Sequence, residues 1–132
     1  EKENKHYCIR NFKISHSDKP EQVRDIRQFH YTSWPDFGVP TTGEGVMEMR
    51  EEIIGWQGKA PPVVHCSAGV GRTGTYVAID TGLAQQAANK REANIYQLTE
   101  TMKKQRQGMV QTPEQYEFIY TTLRQADAVQ PE

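Results

Sequence analysis

Gly69, Gly71 and Gly74 fall within six consecutive residues, between the apolar run Pro62-Val63-Val64-His65 and a helical spacing of apolar residues at Tyr76, Ile79, Leu83 and Ala87. A short apolar run behind two prolines reads as a buried strand, and clustered glycines permit the sharp reversal that joins a strand to a helix. The sequence therefore predicts strand, tight loop and helix across this stretch. Any fold of the chain has to be built around that unit.

The rest of the chain reads as strands first and helices afterwards. Tyr7 to Ile14 and Val23 to Thr32 are rich in aromatic and β-branched residues, which predicts a strand pair joined by a turn region from Ser15 to Gln22. Trp34-Pro35-Asp36-Phe37-Gly38-Val39-Pro40 holds two prolines and one glycine in seven residues, a composition that fits a loop and neither a helix interior nor a central strand. Val46, Met49, Ile53 and Ile54 mark one face of a following helix, weakened at Gly55 and Gly58. Asn94 with Gln97 predicts a capped helix carrying Ile95, Leu98 and Met102 and ending near Gly108. Thr112-Pro113-Glu114-Gln115 predicts another, with Tyr116, Ile119, Tyr120 and Leu123 as its apolar face. Short polar stretches lie around Ser15 to Gln22 and Asn89 to Asn94, and no repeat or dividing linker occurs.

With 132 residues, 36% hydrophobic and 25% charged, the chain has the make-up of one globular domain or part of one. Its net charge of -1, from 16 basic and 17 acidic residues, gives no field to draw it to nucleic acid or an anionic membrane, so any anion binding must be local. Cys8 and Cys66 are too few for a disulfide scaffold and are expected to be free thiols in a reducing compartment. No apolar run is long enough to span a bilayer and the N-terminal residues do not resemble a signal peptide, so a soluble chain is expected. The start at Glu1, in the charged stretch Glu1-Lys2-Glu3-Asn4-Lys5, suggests a piece of a longer protein.

Three readings compete for the segment from Val64 to Thr75. Cys66 reads as a small core residue when taken alone. Gly69-x-Gly71-x-x-Gly74 matches a dinucleotide fingerprint, but the acidic residue expected about 20 positions on is at best Glu92, in Lys90-Arg91-Glu92 with no second strand before it. A nucleotide P-loop lacks its glycine-lysine-serine or glycine-lysine-threonine triplet. The third reading accounts for every residue type. Five residues separate Cys66 from Arg72, so a glycine-permitted loop can bring sulfur and guanidinium to one point with its N–H groups turned inward as an anion nest. A helix N-terminus near Arg72, the bidentate fork of Arg72 and a phosphate dianion are mutually complementary. The same positive surroundings, Arg72 among them, are expected to lower the Cys66 pKa.

His65-Cys66-Ser67-Ala68-Gly69-Val70-Gly71-Arg72-Thr73-Gly74 resembles the signature of the cysteine-dependent phosphatases, in its tyrosine-specific form. Trp34 to Pro40 resembles that family's mobile acid loop, and Gln111-Thr112-Pro113-Glu114-Gln115-Tyr116 its glutamine loop. The resemblance covers essentially the whole chain. It implies an α/β (α+β) fold, a twisted mixed β-sheet flanked by α-helices, with residues 1–132 as the C-terminal portion of a catalytic domain: acid loop 34–40, phosphate-binding loop 65–73, glutamine loop 111–115.

The resemblance also implies the roles. Cys66 is the nucleophile that becomes a phosphocysteine, Arg72 and the loop residues Ser67, Ala68, Gly69, Val70 and Gly71 hold the phosphoryl group, and His65 orients the loop. Asp36 is the proton donor and later the base. Thr73 donates to the departing sulfur. Gln111 and Gln115 position the hydrolytic water, although Gln115 also completes a capping box with Thr112. Phosphotyrosine-containing proteins are the implied partners, with no cofactor, no metal, no nucleic acid and no membrane contact from this segment. The implied location is cytoplasmic, including the intracellular part of a membrane receptor. A low-pKa thiolate of this kind is prone to reversible oxidation. The aromatic loop that clamps phosphotyrosine has no counterpart in this chain. The rivals are a phosphate-binding module without catalysis and a dual-specificity phosphatase.

Overall fold

The computed structural model describes residues 1–89 and 92–129, which leaves Lys90 and Arg91 of the polar stretch after Asn89 outside the described residues. Two compact units emerge, one of Glu1–Ser33 and one from Trp34 onward. The class is mixed α/β, with three strands and four helices among the described residues.

The first unit is an antiparallel sheet in the order β1 (Lys2–Glu3), β2 (Tyr7–His16), β3 (Lys19–Tyr31). The hairpin is longer than the sequence predicts and its turn shorter: Tyr7 pairs with Tyr31, and the ladder runs through Phe12 opposite Ile26 to His16 opposite Lys19, with an irregularity between Ile14 and His16. Cross-strand polar pairs carry the ladder past the apolar segments, namely Lys13 with Asp25 at 2.8 Å and Arg27 with Asn11 at 2.8 Å. Tyr7, Cys8 and Ile9 are buried, whereas Phe12, Ile14, Val23 and Ile26 toward the hairpin tip are exposed.

The second unit is helical: α1 (Glu44–Trp56), α2 (Gly71–Ala88), α3 (Ile95–Gln105) and α4 (Pro113–Val129). α2 packs against both α4 and α3. Ala78 and Ile79 of α2, Ile95 and Met102 of α3, and Ile119 and Leu123 of α4 form its core. Close approach is possible because Gly82 is bare: a Cβ there would stand 2.7 Å from Leu123 and 3.0 Å from Ile95. α3 begins as expected, with the Asn94 carboxamide accepting from the Gln97 amide at 2.9 Å. The chain after α3 departs at Arg106, earlier than Gly108. α1 buries Val46 and Met49 but leaves Ile54 exposed, and Arg50 ties it to α2 through Asp80 at 2.7 Å.

Two expectations need correction. Pro62 to His65 forms no strand, and Val63 is 91% exposed. Apolar composition makes a strand only when a neighbour supplies the ladder, and no other strand pairs with this segment among the described residues. On α4, Tyr120 is exposed and meets the Tyr116 hydroxyl at 3.1 Å, while Phe118 and Thr122 join Ile119 and Leu123 on the buried face.

The helical glycines predict opposite responses to alanine. At Gly74 a Cβ would lie 2.5 Å from the Val110 amide nitrogen, backbone that cannot swing away. Gly74→Ala is expected to lower stability by about 1–2 kcal/mol in urea unfolding, because overpacking outweighs the gain in helix propensity. Gly55, with nothing within 4 Å, is expected to gain roughly 0.5–1 kcal/mol on the same change.

Candidate active site

The loop from Cys66 to Val70 turns into α2 through Gly69, whose φ of 73° is left-handed and free of steric cost only for glycine. Gly71 opens the helix against the glutamine segment. A Cβ at Gly71 would stand 2.7 Å from Gln111 Oε1 and 3.2 Å from Gln115 Nε2. The spacing of the glycines thus answers to two close approaches, one inside the loop and one outside it.

Cys66 is a free, part-exposed thiol beside that turn. Its partial burial alone would raise the pKa, but hydrogen bonding outweighs it and brings the thiol from 9.0 down to about 7. The donors are the Thr73 hydroxyl first, then the backbone N–H groups of Thr73, Gly69 and Val70. This corrects the expected cause, in which Arg72 took part. Thr73 Oγ1 is buried and has no conventional hydrogen-bond partner among the described residues. Both observations fit a hydroxyl that is satisfied when the sulfur is ionised.

The Arg72 guanidinium is turned toward the acid loop. Nη2 donates to Asp36 Oδ1 in a short ion pair, and Nη1 donates to the Trp34 carbonyl at 3.2 Å. Trp34 anchors this loop: its ring is buried edge-on to Phe118 of α4 at 5.8 Å, and its Nε1 donates to the Gly38 carbonyl at 2.9 Å. Between those two anchors Asp36 and Phe37 make a turn closed by the Gly38 amide on the Pro35 carbonyl, and Phe37 is held at a φ of 57°. A left-handed bulky residue next to Asp36 is a strained conformation that the surrounding bonds maintain.

Gln115 is fully buried and chiefly a cap. Its Oε1 accepts from the Gln111 amide at 2.8 Å and the Thr112 amide at 3.2 Å, while its own amide donates to Thr112 Oγ1 at 3.2 Å. Its Nε2 reaches the Gly38 carbonyl of the acid loop at 3.4 Å, so this side chain ties two of the three motifs together. Gln111 is exposed beside Gly71. Ser67 and Ala68 lie exposed on the loop, and His65 Nδ1 stands 3.3 Å from the Cys66 carbonyl oxygen.

Sequence reasoning missed two basic residues at the end of α3. Arg106 donates to the Gly69 and Ala68 carbonyls, and Lys103 donates to the Val110 carbonyl at 2.9 Å. Basic residues in a last helical turn are ordinarily read as partners of the helix dipole, and no spacing rule links Arg106 to a loop 37 residues upstream. Among the described residues no three His, Cys, Asp or Glu side chains cluster as metal ligands, and no helix is long and apolar enough to cross a membrane.

The sequence matches the family described as protein-tyrosine phosphatase over residues 1–125. The chain belongs to the protein-tyrosine phosphatase family. It is 43% identical over 119 residues to human receptor-type tyrosine-protein phosphatase alpha, covering 89% of this chain and 14% of that protein. It is 39% identical over 116 residues to rat receptor-type tyrosine-protein phosphatase epsilon, covering 86% and 16%. Against human receptor-type tyrosine-protein phosphatase eta it is 40% identical over 117 residues, covering 86% and 9%. The chain thus spans a small part of the length of the curated relatives it matches.

Within this phosphatase-family site, Thr73→Ala is expected to move the Cys66 titration upward from about 7 toward 9.0, read as the pH dependence of iodoacetamide alkylation. The sign for stability follows. A lowered folded pKa contributes fully above the ordinary value of 9.0 and is lost as pH falls through about 7, and Thr73→Ala flattens that dependence. Gln115→Ala, which strands the Gln111 and Thr112 amides, is expected to cost about 2 kcal/mol in urea unfolding, whereas exposed Gln111→Ala stays within about 0.5 kcal/mol.

Proposed function

We propose that residues 1–132 are the C-terminal portion of a tyrosine phosphatase catalytic domain that hydrolyses phosphotyrosine in proteins through a phosphocysteine. The observation that carries this reading is a thiol whose pKa is lowered to about 7 by a hydroxyl and a turn of N–H groups, together with the pairing of Arg72 and Asp36. A core cysteine has no use for such surroundings, and a dinucleotide site has no use for a thiolate.

In the first step the Cys66 thiolate attacks phosphorus, the bond from phosphorus to the tyrosyl oxygen breaks, and the Asp36 carboxyl gives its proton to that oxygen. Without the proton a phenolate must leave unaided, so the acid is worth roughly 10²–10⁴ in rate. Arg72 first releases the Asp36 carboxylate, which takes up a proton from solvent to become the acid. The Arg72 fork takes two phosphoryl oxygens, while the N–H groups from Ser67 to Arg72 take the third. In the second step Asp36 as carboxylate removes a proton from water, the water oxygen bonds to phosphorus, and the sulfur–phosphorus bond breaks to give free phosphate and thiolate. Thr73 receives that thiolate with its buried hydroxyl. Gln111, exposed beside Gly71, orients the water; Gln115 serves mainly by holding the Gln111 amide. The receptor-type names of the relatives favour the intracellular segment of a membrane receptor as the parent.

Hydrolysis of a phosphotyrosyl and a phosphoseryl peptide by the complete parent domain, with wild type, Cys66→Ser and Asp36→Ala side by side, tests the reading. Turnover of the phosphotyrosyl peptide alone is expected, lost with Cys66→Ser. Asp36→Ala is expected to lower kcat by roughly 10²–10⁴ while still binding the peptide. Equal turnover by wild type and Cys66→Ser would sink the mechanism.

A further inference from the structure

Arg106 ends α3 with its amide donating to the Met102 carbonyl at 2.9 Å, so the helix fixes the root of its side chain. From there Nε donates to the Gly69 carbonyl at 3.2 Å and Nη2 to the Ala68 carbonyl at 3.3 Å. Those two carbonyls belong to the Ala68–Gly69 and Gly69–Val70 peptide units. The N–H groups of the same two units, on Gly69 and Val70, are donors that favour the Cys66 thiolate. A trans peptide directs its C=O and N–H oppositely, and no cis bond occurs among the described residues. The guanidinium therefore grips the outer end of each peptide whose inner end serves the sulfur.

We propose that Arg106 is a positioning residue, a clamp that holds the Ala68–Gly69 and Gly69–Val70 peptides with their N–H groups turned into the anion cradle. The proposal rests on the reading of this loop as the phosphate-binding site of a phosphatase. A clamp is needed because Gly69 samples φ of either sign at little cost, so its flanking peptides are the easiest in the loop to flip. A flip would aim a carbonyl oxygen at the thiolate and the phosphoryl oxygens. A cation on the outer carbonyls also polarises both peptides, which strengthens their N–H groups as donors. Gly69 leaves room for the clamp, since a Cβ there would stand 3.3 Å from Arg106 Nη2. Arginine suits the task because its planar fork spans two oxygens, whereas an ammonium is a point charge.

Other charged and titratable groups on the surrounding elements are engaged elsewhere. Asp36 and Arg72 pair with each other, Lys103 holds the Val110 carbonyl, and His65 lies against the Cys66 carbonyl oxygen. Loss of Arg106 thus acts on the sulfur through the two peptides and not by freeing another charge.

The test is the pH dependence of Cys66 alkylation by iodoacetamide in the intact protein, with the labelled peptide identified by mass and folding checked by circular dichroism. Wild type is expected to titrate near 7. Arg106→Ala is expected to titrate about half a unit to one unit higher, seen as roughly three- to tenfold slower labelling at pH 6, and Arg106→Lys to fall between. Arg50→Ala, which breaks the α1–α2 tie, controls for general destabilisation and keeps the wild-type midpoint. A folded Arg106→Ala with the wild-type midpoint overturns the clamp. If Arg106→Ala does not fold, an unshifted midpoint in Arg106→Lys overturns it equally. Alkylation needs no turnover, so a shifted midpoint in a protein that never hydrolyses phosphopeptides would leave the clamp standing and sink the phosphatase reading.

Discussion

The Val110 amide donates to the Val70 carbonyl at 3.1 Å, across a gap that stays open because position 74 carries no side chain. That carbonyl accepts a second bond from the Gly74 amide at 3.0 Å, the first turn of α2, so a single oxygen joins the start of the helix to the segment that follows α3. The geometry is costly for Val110, a β-branched residue at a φ of 60°, where a side chain ordinarily loses about 1–2 kcal/mol. It persists because the residue is fixed at every group: its amide on Val70, its carbonyl on Lys103, and its side chain buried. Once the two segments are joined, Gln111 and Gln115 fall against Gly71, and Arg106 comes within reach of the outer face of the loop. The cradle is therefore a product of helix packing, and the loop sequence alone does not make it.

That dependence explains what could be read from the chain and what could not. Features decided by a few neighbouring residues were legible. The Asn94–Gln97 cap, the Thr112–Gln115 box, and the loop forced by Pro35, Gly38 and Pro40 follow from local bonding rules, and each has its predicted form. The strand expected at Pro62 to His65 fails for the complementary reason: a ladder needs a partner, and apolar composition cannot supply one. Spacing alone puts Tyr120 on a buried face, but the helix presents Gln115, Phe118, Ile119 and Thr122 inward, and a buried glutamine is invisible to any rule based on apolar periodicity. Among the expected site residues, Thr73 hydrogen-bonds the Cys66 sulfur, whereas Arg72 is paired with Asp36. Of the positive surroundings expected to acidify the thiol, the N–H groups of Gly69 and Val70 contribute, joined by the Thr73 hydroxyl and N–H, and Arg72 is not among the causes.

The pairing of Arg72 with Asp36 sets the terms on which the proposed mechanism begins. The two residues proposed to act on opposite ends of a phosphate ester hold each other, and the Trp34 carbonyl completes the grip. The Asp36 side chain is more than half exposed, so the pair is screened, and such pairs contribute about 0–1 kcal/mol. A phosphate dianion offers the guanidinium two oxygens, twice the charge and a cage of N–H donors that Asp36 cannot match. The exchange therefore runs toward substrate at small cost. It releases the carboxyl only when the phosphoryl group is already seated, and the Trp34 anchor and the Gln115 bond to Gly38 keep that carboxyl within the loop's short arc. On the proposed mechanism, binding frees the carboxylate, which then takes up a proton from solvent and is armed as the acid. The guanidinium changes partners, while the Trp34 ring on Phe118 and its Nε1 on the Gly38 carbonyl are contacts that the exchange does not use.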